Sequence, residues 1–158
     1  MADHDSVNTS EAAAKYGKYV ITAPKLITEL AHHDFTGVSG ITFPDEVYLD
    51  KDILREANQW LDIMWIWEVP HPPDLLGAHV HPFDELVLLI GSNPQDTGDF
   101  GAQIEWWMGE GDEAESYVID TTTAIYVPKG LVHGPMNFLR IDKPVLNVAI
   151  GLNCGEYV

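Results

Sequence analysis

The chain has little positive charge, a single cysteine and no long apolar run, and each shortage removes a class of function. Eight Lys and Arg stand against 25 Asp and Glu, a formal net charge of −17 over 158 residues. Phosphate backbones and anionic lipid surfaces are bound through clustered Lys and Arg, so neither nucleic acid nor a membrane surface is an expected partner. Acidity of this size favours solubility through self-repulsion. The one thiol, Cys154, cannot close an internal disulfide, so the fold asks for no oxidising compartment. The longest unbroken apolar runs are Ile63 to Trp67 and Leu86 to Ile90, far below the about 20 residues of a membrane-crossing helix. Residues 1–10 hold Asp3 and Asp5 and no basic stretch leading into an apolar one, so they do not read as a secretory signal. The expected location is the cytoplasm.

Convincing helix is scarce too. Residues 1–17 read as a flexible polar tail, and 18–158 as one domain with an N-terminal arm and a core over 60–152. Tyr19 to Thr22 are β-formers and make Lys18 to Pro24 the first expected strand. Lys25 to His33 is a candidate short helix. Gly37 and Gly40 put Phe35 to Gly40 in a loop, Thr42 to Leu49 is extended, and Asp50 is placed to cap a helical turn through Arg55. Gln59 to Val69 is the strongest strand. It is apolar on both faces, as a strand is when covered on both sides or set at a subunit contact. The prolines of Pro70 to Asp74 predict a rigid loop.

Further strands follow in Gly77 to Ile90 (two pieces, broken near Pro82), Ala102 to Met108, Ser116 to Asp120, Ala124 to Val127, Asn137 to Ile141 and Val145 to Leu152. The Asn, Pro, Asp and Gly of Gly91 to Gly101 predict a hairpin loop. Many short strands with frequent turn signals indicate an all-β sandwich or barrel.

Histidine occurs at 4, 32, 33, 71, 79, 81 and 133. His79 and His81, one residue apart, share a face of an extended segment about 7 Å apart and can tilt toward one ion. Glu85 lies four residues on and offers a hard oxygen. His133, after a Pro-x-Gly turn, can close the site from a facing strand. His32 and His33 point apart on any regular element, and His71 between Pro70 and Pro72 reads as a loop residue.

The stretch Gly77-Ala78-His79-Val80-His81-Pro82-Phe83-Asp84-Glu85, running on to Gly91, resembles the first cupin motif. Pro128-Lys129-Gly130-Leu131-Val132-His133-Gly134-Pro135-Met136-Asn137 resembles the second. Three glycine positions depart from the pattern: Gly77 is closer to His79 than usual, Gly91 comes one residue early, and Thr122 replaces a glycine before Pro128. The resemblance covers residues 60–152. It implies a double-stranded β-helix, or jelly roll, with one divalent metal ion held by His79, His81, Glu85 and His133 in its mouth. Single-domain proteins of this kind often pair, so a homodimer is expected, with Lys18 to Pro24 crossing to the neighbour.

Three imidazoles and a carboxylate suit Fe(II), the favoured ion, or Mn(II), Ni(II), Co(II) or Zn(II). They leave two positions of a six-coordinate ion open and a local charge of about +1, which favours a chelating oxygen anion. The leading expectation is a metal-dependent dioxygenase acting on a small organic substrate. A non-redox isomerase, decarboxylase or lyase is the first alternative, and a non-catalytic ligand-binding protein the second. The five tryptophans read first as core and subunit interface. The sharper reading places Trp65, Trp67, Trp106 and Met108 around an apolar pocket above the metal. Glu105 and Asp62 are candidate proton shuttles if either faces inward, though outward, solvated positions are the expectation for both.

Overall fold

The structure, a computed structural model, describes residues 15–22, 35, 37–42, 47–71, 73 and 77–155. Among the described residues, alternating apolar positions form nine strands in two antiparallel sheets. They are β1 (Ser39–Ile41), β2 (Val47–Leu49), β3 (Trp60–His71), β4 (Asp84–Gly91), β5 (Ala102–Met108), β6 (Glu115–Ile119), β7 (Thr123–Val127), β8 (His133–Ile141) and β9 (Val145–Leu152). The larger sheet runs β1-β3-β9-β4-β7, with β2 also on β3, and the smaller runs β6-β5-β8. They face each other as a jelly roll over one core that includes Met64, Ile66, Val87, Leu89, Ile104, Phe100 and Phe138. No described helix is long and apolar enough to cross a membrane.

Register fixes what points inward. Glu85 pairs with Gly151 and Val127, and Gly151 pairs with Trp60. One row deeper lie Asp62, Ala149, Val87 and Ile125, and below them Met64, Asn147 and Leu89. The interior is therefore polar at the Glu85 end and, apart from the buried Asn147, apolar at the other.

The strands from β3 onward follow the sequence pattern, and the departures lie mostly before them. Gly17–Tyr19 is a 3-10 turn and residues 20–22 join no ladder, so the part of Lys18 to Pro24 that is described is not a strand. Residues 1–14, with His4, and 23–34, with the candidate helix and His32 and His33, lie outside the described residues. Lys18 forms an ion pair with Glu56. The loop expected at Phe35 to Gly40 ends in β1, whose edge position suits a short strand. Asp50 does cap a turn, with its Oδ1 accepting from the N–H groups of Asp52 and Ile53 at 2.9 and 3.1 Å, but the turn does not become a helix.

Pro70 is not in a loop either. β3 runs through it to His71 because its neighbour there, β1, slips register between Ser39 and Ile41, where a missing N–H breaks no ladder bond. Parity also corrects Asp62: it shares the inward face with Trp60, Met64 and Ile66 and is 6% exposed, not solvated.

Candidate metal centre

The two sequence segments meet because each end of the site is tied to the other by backbone. His79 and His133 form an isolated bridge, with N–H to O distances of 2.9 Å in both directions. The Pro128 turn closes through Leu131 N–H to Pro128 O, and places Gly130 N–H on His81 O at 3.0 Å. Asp84 Oδ1 accepts from the Lys129 N–H at 2.8 Å. Gly130 has φ +78°, a left-handed conformation that glycine adopts without penalty. Gly134 is needed for a different reason: a Cβ there would lie 2.8 Å from Gly77 O, so only glycine lets the first segment pack against β8.

These ties bring a ring nitrogen from each of His79, His81 and His133 within 4.8 Å of one another. Glu85 Oε2 lies 3.4 Å from His81 Nε2 and 3.2 Å from His133 Nε2. Ligands about 2.1 Å from a cation are about 3.0 Å apart at right angles and about 4.2 Å apart across it, so these spacings are close to those of one shared ion. His81, Glu85 and His133 are buried, whereas His79 is half-buried and is the approachable side of the group. Behind His81 the Phe83 ring stacks at 4.3 Å and 6°, and Trp60 meets Phe83 edge-on at 6.4 Å. The Trp106 ring lies stacked beside His133, with centroids 6.0 Å apart.

The hydrogen bonds on the far sides of the rings set the tautomers. His133 Nδ1 is 3.0 Å from Leu131 O, and His79 Nδ1 is 2.9 Å from Gly77 O. A carbonyl only accepts, so in both rings Nδ1 carries the proton and Nε2 of the neutral ring presents a lone pair. His133 Nε2 and Glu85 Oε2 are both buried and neither completes a hydrogen bond. Two buried lone pairs facing each other at 3.2 Å repel unless a positive charge stands between them. A divalent cation supplies it in the loaded chain, and a proton shared with an imidazole does so in the metal-free one, so the residues fit the ion.

In the metal-free chain burial pushes the Glu85 carboxyl up, but hydrogen bonds from His133 and then His81 outweigh it and hold it down at about 2, so the carboxylate is charged with or without an ion. Burial lowers His79, and the neighbouring His133 and His81 add to this against the Gly77 carbonyl, which favours the neutral, ligating ring.

The other candidates divide. Glu105 lies on the outer face of β5, where its Oε2 accepts from Asn137 Nδ2 at 2.8 Å and the carboxyl is held low by that bond. The β5 pleat carries it away from the metal centre, so it is not placed to shuttle a proton there. Asp62 is inside but a row deeper than Glu85 and two strands away. Trp65 and Trp67 point outward and line a surface groove with Thr42, Ser92 and Pro144, so they do not stand above the metal centre. Trp106 and Met108 line a cleft of about 300 Å³ that opens to solvent at Tyr117 and Tyr126. Sequence reasoning missed its other walls, including Tyr117, Ile119, Ile125 and Tyr126. No local motif marks them, because the cavity exists only where two sheet edges face one another. His71 is exposed on the end of β3.

No family model and no curated protein matches the sequence. Solved structures do. An oxalate oxidase in complex with the substrate analogue glycolate aligns with TM-score 0.52 at 14% identity, over 95% of this chain and 65% of that one. A second oxalate oxidase structure aligns with TM-score 0.51, over 100% and 69%. Oxalate decarboxylase from Bacillus subtilis aligns with TM-score 0.48 over 70% of this chain and 25% of that one. The chain thus spans about two thirds of the oxalate oxidase chains, and at this identity the likeness establishes the fold.

Proposed function

We propose that this chain, which has the cupin fold, is a metal-dependent oxygenase of small organic anions, with His79, His81, Glu85 and His133 holding one divalent cation, Fe(II) by preference. The observation that carries the reading is the pair of buried lone pairs, His133 Nε2 and Glu85 Oε2, turned toward each other beside two further imidazoles. When bound, a ferrous ion supplies Lewis acidity and one-electron chemistry with dioxygen. The chain's own residues do the rest. His79 and His133 keep their Nε2 lone pairs available through the Gly77 and Leu131 carbonyls. Glu85 stays ionised and leaves the centre with about one net positive charge, so an oxygen anion is drawn in. Phe83 and Trp60 exclude water from the side behind His81.

The oxidase likeness is consistent with redox chemistry on this fold but does not carry a substrate across, since fold and reaction separate easily. The non-redox alternative needs a proton carrier beside the bound substrate. Glu105 is outside and Asp62 a row away, which favours the oxygenase.

The test is anaerobic reconstitution with Fe(II), then addition of nitric oxide as a dioxygen surrogate. One iron per chain and the high-spin electron paramagnetic resonance signal of an iron-nitrosyl centre are expected. Stoichiometric iron with no such signal means no position is open to dioxygen and overturns the oxygenase; less than one-tenth of an equivalent of iron overturns the ligand set.

A further inference from the structure

The larger sheet ends at β7 and the smaller at β6, and these two edges do not pair with each other. The roll is thus open along one seam, and the cavity of about 300 Å³ sits in it. Its walls are Trp106 and Met108 from β5, Tyr117 and Ile119 from β6, and Ile125 and Tyr126 from β7. It adjoins the metal centre: Met108 is the cross-strand partner of His133, and Trp106 stacks beside the His133 ring.

Thr123 and Ala124 of β7 complete the walls, and the Thr123 hydroxyl is taken up by Thr121 O at 2.9 Å. No charged side chain among the described residues lines the cavity, although the chain carries 33 ionisable Asp, Glu, Lys and Arg (25 acidic and 8 basic). Both tyrosine hydroxyls are committed outside it. Tyr117 Oη donates to Glu115 at 2.5 Å, and Tyr126 bonds Asp84, so each offers the cavity its ring. The volume is at the low end for ligand sites and matches one substituted ring rather than two. Glu115 and Asp84 at the rim add negative charge and no Lys or Arg lines the space, so a second anionic group on the ligand would be repelled.

We propose that this seam cavity binds the uncharged body of a single-ring aromatic monoanion whose oxygen anion reaches the cation, and that it discriminates against dianions such as oxalate. The assignment deepens the metal-centre reading and rests on it for the anion, while the ring-binding step stands on the cavity alone.

The experiment titrates the full chain by tryptophan fluorescence with benzyl alcohol, an uncharged ring, and the Co(II)-loaded chain with salicylate and with oxalate, following the cobalt visible spectrum. Ile125→Phe fills the cavity from within, and Ala124→Trp covers it from the exposed rim and spares the core if the first variant fails to fold. Benzyl alcohol is expected to bind with or without cobalt, and salicylate at least tenfold more tightly than oxalate, with both advantages lost in Ala124→Trp while bound cobalt stays at one per chain. Ring binding unaffected by the substitutions, or oxalate binding as tightly as salicylate to the loaded chain, overturns the proposal. Failure to take up cobalt with ring binding intact overturns the metal centre and not the cavity.

Discussion

The inward positions of β4 compare two ends of one interior: Glu85, Val87 and Leu89 are 5%, 3% and 0% exposed on the same face of the same strand. At the Leu89 end, burial is its own reward, since apolar area leaves water. At the Glu85 end, the same geometry buries a carboxylate against two imidazoles, which costs stability unless a proton or a metal ion supplies positive charge between them. One end of the strand is built to stabilise the fold and the other to be stabilised by a ligand. Substitutions at the two ends should therefore separate metal binding from folding.

The largest effect is expected from His133→Ala, which removes a fully buried ligand tied to Leu131. Metal affinity should fall by more than about a hundredfold, beyond what loss of an outer hydrogen-bonding partner does, with activity gone. Chelator competition followed by elemental analysis measures it; full metal content in this variant would remove His133 from the ligand set. Leu89→Ala should do the reverse, costing about 2–5 kcal/mol of folding free energy at unchanged metal stoichiometry, as read by urea unfolding. Metal loss in the folded variant would mean that the two ends are not separable.

Glu85→Gln tests the contrast within one residue. Metal binding should weaken on the order of tenfold, less than for His133→Ala because an oxygen ligand remains, and the preference among Fe(II), Mn(II) and Zn(II) should change. The metal-free variant should melt below the metal-free parent at pH 7, since the His133 and His81 contacts that hold the Glu85 carboxyl at about 2 are lost. An unchanged metal-free melting temperature would show that Glu85 contributes nothing to the fold without an ion. Glu105→Gln, on the outer face, should leave turnover unchanged and stability within about 0.5 kcal/mol; a tenfold loss of turnover would reopen it as a proton carrier.

The sequence showed these two ends unequally. His79, His81, Glu85 and His133 were legible because metal ligands impose residue type, spacing and order together, and the structure brings those four side chains to one place. Strands from Trp60 onward were legible through β-forming runs set between turn residues. The segments before it were not, since Tyr19 to Thr22 have β propensity but no partner strand among the described residues, and propensity without a ladder makes no sheet. Trp65 and Trp67 were misplaced because an outward apolar stripe on β3 looks the same in sequence as an inward one. Asp62 shows the converse: an acid in an apolar strand gives no sign of its face until register with Ala149 is known. The cavity walls at Ile119 and Ile125 depend on two edges that do not pair, which no local pattern records.

The smallest expected effect is the pH dependence of the metal-free protein, and it follows from direction alone. His79 is held below its ordinary value of 6.5 and Glu85 below 4.5, down to about 2. Each group binds fewer protons folded than unfolded, so each contributes stability that is complete above the ordinary value and is lost as pH falls toward the folded one. Metal-free stability should thus decline in two steps, the first starting near pH 6.5 from His79 and the second between pH 4.5 and 2 from Glu85. A bound cation competes with protons for the same lone pairs and should move the first step to lower pH. Urea unfolding across pH 8 to 3 reads both, and His79→Gln should erase the upper step alone. A metal-free profile that is flat between pH 7 and 5 would mean that His79 is as well solvated as in the unfolded chain, and the partly buried imidazole on the approachable side of the centre would lose its claim to be held neutral by the fold.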